Sequence, residues 1–139
     1  MKIVGDDAQL ELDIIEKENL KSDNEDDQQW LEVNIKASLV GFKAYFEASI
    51  RIDELKLFID SINGVLDIQK GIVELSTMEE AICLRGIVDS TGNVDWTGVL
   101  TYPVGIGNKL QFRFNTDFYQ LQRIKDDLTK DLLILSTDR

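Results

Sequence analysis

Leu31-Glu32-Val33-Asn34-Ile35-Lys36-Ala37-Ser38-Leu39 leads through Val40-Gly41 into Phe42-Lys43-Ala44-Tyr45-Phe46-Glu47-Ala48-Ser49-Ile50. In both runs every second residue is apolar and the residues between are polar, Tyr45 excepted. A strand turns successive side chains to opposite faces, so this is the pattern of a β-hairpin with one buried and one wet face. Gly41 marks the reversal between the two arms.

Beyond Ile50 the period changes. Ile52, Leu55, Phe58, Ile59 and Ile62 recur every three or four residues, which predicts one apolar helix face. Asp53 is suited to cap its start, with Ile52 and Leu57 as a hydrophobic staple, and Gly64 to stop it. Alternation returns at 71–76, 82–88, 94–102 and 110–114. Asp89-Ser90-Thr91-Gly92-Asn93 reads as a turn, and Pro103 to Asn108 as a loop. Upstream of the hairpin, Leu10, Leu12 and Ile14 alternate with Glu11 and Asp13. The last element is a long helix: Phe118, Leu121, Ile124, Leu128, Leu132 and Leu135 share a face, and Thr116 or Asp117 can cap it. The order is three strands, helix, four strands, helix. It predicts an α+β protein with a curled antiparallel sheet of about seven strands, a mid-chain helix and a long C-terminal helix.

The chain has 139 residues, 43% of them hydrophobic, which suits one domain spanning 1–139. Its 26 acidic and 15 basic residues give a net charge of −11. That sign disfavours nucleic acid and anionic membranes as partners, since both are bound largely through Lys and Arg. There is no histidine, which removes imidazole bases, Ser-His and Cys-His nucleophiles, and His-containing metal sites. The single cysteine, Cys83, excludes an internal disulfide, and without histidine it reads as an inert strand residue. Neither a secretory leader nor an apolar run of membrane-spanning length is visible, so a cytoplasmic protein is expected.

No cofactor motif stands out. Gly105-x-Gly107 lacks the third glycine and the following helix of a dinucleotide fingerprint, and reads as a hairpin loop. No carboxylate pair is forced to face a cleft, so a glycosidase-like acid/base site has no anchor. Trp30, Trp96, Tyr45 and Tyr119 read as core or core-edge packing.

The charge is uneven. Residues 1–30 hold ten acids and three bases, a net −7, against −4 for the rest. The densest run is Asp23-Asn24-Glu25-Asp26-Asp27, before Trp30. It is read as a solvated loop or as an anionic surface offered to a basic partner through Asp23, Glu25, Asp26 and Asp27. A calcium loop fits poorly: its sixth position would be Gln28 instead of glycine, and its twelfth Asn34 instead of a bidentate Glu.

Nearly the full chain resembles the WapI-type immunity proteins of bacterial polymorphic and contact-dependent toxin systems. The likeness rests on Ile3-Val4-Gly5-Asp6-Asp7 before Leu10-Glu11-Leu12-Asp13-Ile14, and on Trp30 to Ile35 after the acidic run. It continues with the Phe42/Phe46 strand feeding Asp53-Glu54-Leu55, then Gly98 and Gly107 to Phe114. It ends with Thr116-Asp117-Phe118-Tyr119-Gln120-Leu121. The resemblance implies a non-catalytic cytoplasmic protein that binds and neutralises the C-terminal toxic domain of a cognate toxin, often an RNA-cleaving one; the residues themselves point to no cofactor and no metal. The alternative is a generic protein-binding or scaffold domain.

Overall fold

The computed structural model describes residues 1–18 and 23–137. Eight strands are found among them: β1 (Lys2–Val4), β2 (Gln9–Lys17), β3 (Trp30–Leu39), β4 (Phe42–Arg51), β5 (Gly71–Ser76), β6 (Ile82–Val88), β7 (Asn93–Tyr102) and β8 (Asn108–Asp117). Helix α1 (Ile52–Ile68) follows β4, and α2 (Gln120–Thr137) follows β8. The α+β class stands, but the single sheet of about seven strands does not. Two four-stranded antiparallel sheets are present, ordered β1-β2-β3-β4 and β5-β6-β7-β8. The extra strand, β1, has only three residues, too few to alternate visibly. The sheets separate because α1 carries the chain from β4 to β5, and those two strands never pair.

The hairpin forms as read. β3 and β4 pair without a slip from Trp30–Arg51 to Leu39–Phe42, and Gly41 turns with φ at +82°. Leu31, Val33, Ile35 and Ala37 are buried from one strand, Phe46 and Ile50 from the other. β2 joins across β3 with a bulge between Ile14 and Glu16.

Helix α1 departs from its expected ends. It begins two residues earlier, and the Arg51 N–H donates to Glu54 Oε1 at 2.8 Å, a half capping box in place of an Asp53 cap. Leu57 is 67% exposed, so no staple forms with Ile52. Gly64 does not stop the helix, because Val65 continues the buried stripe of Leu55, Phe58 and Ile62. The stop comes at Gln69, in the left-handed region with φ at +58°. For α2, Asp117 Oδ1 accepts from the Gln120 N–H at 3.2 Å, while Thr116 Oγ1 is taken by Trp96 Nε1 at 2.9 Å. Leu121, Ile124 and Leu128 are fully buried.

Helix α1 lies along β5 and against α2, and α2 reaches β1 and β2. Side chains from both sheets and both helices form one hydrophobic cluster. The second sheet fills its inner face with rings set over glycines. Trp96 stacks towards Phe114 and lies across Gly86, and Phe112 lies across Gly98. Added Cβ atoms would meet those rings at 2.8 Å and 2.4 Å. Phe114 is buried and Phe112 half-buried, whereas Gln111 and Arg113 between them are exposed.

Two sheet edges are closed by side chains. The Gln120 amide accepts from the Val4 N–H at 2.9 Å and donates to the Val4 carbonyl, as a neighbouring strand would. Ser61 Oγ of α1 accepts from the Glu74 N–H on β5 at 3.1 Å.

Candidate functional site: an anionic sheet face

The acidic run forms the approach to β3. Asp23, Glu25 and Asp26 are exposed, and Asp27 opens a short 3₁₀ turn, Asp27–Gln29, where it is half-buried. Asn24 Oδ1 accepts from the Asp26 N–H at 2.9 Å, folding the run back on itself. Asp26 is not free for a partner: Arg51 Nη2 donates to its Oδ1 at 2.8 Å. The same guanidinium binds Asp53 through Nε at 3.1 Å and lies 5.4 Å from the centre of the Trp30 ring. Arg51 is only 9% exposed, and its carboxylate partners hold it more firmly protonated than an ordinary arginine. Arg51 thus pins the acidic run to the end of the β3–β4 pair. Trp30 packs at this rim, as a core-edge residue should.

From that rim the wet face of the first sheet continues the negative charge. The register sets Glu16 beside Glu32, and Glu32 beside Ser49, whose hydroxyl donates to Glu18 Oε1 at 2.7 Å. The next row is Asp13, Asn34 and Glu47. Asn34 is the neutral member; its Oδ1 is shut from solvent and has no donor among the described residues. Partial burial, then the charges of Glu47, Glu16 and Glu18, push the Glu32 carboxyl above its ordinary pKa. These outer-face carboxylates adjoin the Asp23–Asp27 run, and the sequence reading missed them. Taken along each strand, acids such as Glu32 and Glu47 alternate with bases such as Lys36 and Lys43, so no local excess stands out. The signal was present, but only the register of β2 against β3 stacks Glu16 on Glu32.

The second sheet presents a different surface. Its outer face holds a shallow concavity of about 640 Å³ whose lining includes Ser76, Cys83, Arg85, Thr97, Gln111 and Arg113. Arg113 is engaged by Asp95 through two bonds of 2.9 and 2.6 Å. Cys83 is partly exposed here, not buried as expected for an inert strand cysteine. Trp96 is core, as read. Tyr45 and Tyr119 are not: they are 65% and 85% exposed. Tyr45 supports Lys36 Nζ at 5.3 Å, and Tyr119 meets Phe118 edge-on. The Gly105–Gly107 segment is the β7–β8 hairpin connection, with Gly107 tight against the Pro103 backbone. No helix among the described residues is long and apolar enough to cross a membrane.

The model of the immunity protein WapI-like family matches residues 2–135. The chain belongs to this family. No curated protein and no solved structure matches it. Membership in the WapI-like family makes the chain an immunity protein by descent.

Proposed function

We propose that this WapI-like immunity protein binds the toxic C-terminal domain of a cognate bacterial toxin, with the anionic outer face of β2, β3 and β4 turned towards it. The toxin is a nuclease acting in the cytoplasm, and the chain acts there as one folded domain that binds without turnover. The observation supporting this reading is the continuity of like charge from Asp23 and Glu25, past Glu16 and Glu32, to Asp13 and Glu47. Packing carboxylates side by side disfavours folding, and after partial burial the charges of Glu47, Glu16 and Glu18 contribute to the raised Glu32 pKa. A basic groove built for phosphates would relieve that repulsion, and opposite fields speed encounter.

The test is co-expression with the C-terminal domain of a toxin encoded immediately upstream, followed by stopped-flow association. Neutralising Asp13, Asp23, Glu25 and Glu47 together to Asn or Gln should leave the fold intact and slow association. It should also flatten the dependence of the rate on salt. Asp26 is kept in this variant because it holds Arg51. An unchanged rate and salt slope would move the interface elsewhere. Failure of the wild type to protect cells or to bind would instead favour a scaffold domain with another partner.

A further inference from the structure

Of the strands that end the two sheets, β1 is closed by Gln120 and β5 by Ser61. The β1–β2 turn presses on β8, where a Cβ on Gly5 would lie 2.6 Å from the Asn115 carbonyl. β4 is different. It is ten residues long, it ends its sheet, and among the described residues the backbone from Phe42 to Ile50 bonds to no segment beyond β3. A long open edge is a template for another strand.

The turn tells which backbone groups are free. A two-residue connection makes Leu39 and Phe42 the first hydrogen-bonded pair of the ladder. Phe42, Ala44, Phe46 and Ala48 therefore bond to β3, while Lys43, Tyr45 and Glu47 aim their N–H and C=O groups outward. Arg51 is in the same phase as these three, and its N–H does turn away from β3, to Glu54.

We propose that this edge pairs antiparallel with the β4 edge of a second copy of this chain, about a twofold axis at Tyr45. The strand is self-complementary in that register. On the wet face Lys43 lies opposite the partner's Glu47, with the two Tyr45 side chains between the two such pairs. On the other face Ala44 lies opposite the partner's Phe46, and Phe42 opposite the partner's Ala48, small against large each time. The free backbone groups also match, since Lys43, Tyr45 and Glu47 form the hydrogen-bonded pairs. Slipping the pairing by two residues loses the Lys43–Glu47 match. Slipping it by four sets Lys43 on Lys43 or Glu47 on Glu47. Phe42, 63% exposed in the single chain, gains a neighbour. The pairing makes one eight-stranded sheet, and the interface is isologous, as a twofold requires.

The experiment is sedimentation equilibrium on the purified protein and charge-swapped variants, with circular dichroism to verify folding. Lys43 and Glu47 are exposed, so K43E and E47K should fold. Wild type should shift from monomer to dimer as concentration rises. Each single variant sets like charges opposite one another twice and should weaken the dimer about tenfold or more. Mixing K43E with E47K should restore association as a heterodimer, and the double variant K43E/E47K should dimerise as wild type does. A wild type that stays monomeric overturns the proposal, as does a dimer indifferent to K43E. A monomer whose toxin binding is lost in K43E would also overturn it, by giving the edge to the toxin.

Discussion

The two sheets have the same strand number and the same meander order, yet they use their faces in opposite ways. The first packs aliphatic side chains inward, among them Leu10, Leu12, Val33 and Ile35, and crowds carboxylates outward. The second packs rings over glycines inward and keeps its outer charges paired, as in Arg113 with Asp95. Repulsion on the first sheet is offset by the aliphatic side chains buried beneath it, from Leu10 and Leu12 to Val33, Ile35 and Ile50. The second sheet gains shape-specific packing and has little freedom to change. Stability should therefore be most sensitive to substitution in the second sheet, and association in the first.

The largest effect should come from Trp96→Ala. It empties a fully buried site and leaves the Thr116 hydroxyl without its donor. A loss of about 3–5 kcal/mol is expected in denaturant unfolding. A loss below about 1 kcal/mol would erase the contrast between the sheets.

Gly98→Ala comes next, at about 1–3 kcal/mol, because the new methyl meets the Phe112 ring. Phe112 is half-buried, so Phe112→Ala should cost less than Trp96→Ala. If the ring contact is the cause, the double variant should lose clearly less than the sum of the two single losses.

Titration should separate the sheets by sign. Glu32, on the first, has a raised pKa; Asp89, in the turn between β6 and β7, has a lowered one, through the Thr91 hydroxyl and the Thr91 and Asn93 N–H groups. The Asp89 contribution is favourable above its unfolded-state pKa and is lost as pH falls through its lower folded value. The Glu32 contribution is unfavourable at neutral pH and is relieved as pH falls through its raised folded value. Glu32→Gln should thus raise the melting temperature slightly at neutral pH, and Asp89→Asn should lower it. Both differences should vanish in acid, Glu32's at the higher pH. Equal signs for the two would refute the account.

The smallest effect is expected from Asp23→Asn alone, an exposed single charge, which should leave melting and association nearly unchanged.

What the sequence made legible follows the range of each signal. The β3–β4 hairpin, the α1 face and the strand faces around Cys83 and Phe114 rest on local periodicity, and they appear where the residues place them. Gly64 misled because its Cβ position faces open space, so a helix passes through at modest cost. The division into two sheets carries no local signal, since either meander reads as part of a longer one. At the candidate site the density of acids was visible, but its organisation was not. Arg51 binds Asp26 across 25 residues, and Glu32 gains its neighbours only through register.

The Gln120 amide bonded to both backbone groups of Val4 spans 116 positions. During translation β1 is made before α2, so the side chain that closes its edge follows it by 116 residues. At ordinary elongation rates that interval is on the order of ten seconds. Until then the β1 border of the first sheet is open, and its buried face lacks the cover that α2 supplies. A chain made only as far as β8 therefore carries a first sheet that is neither closed at β1 nor covered by α2.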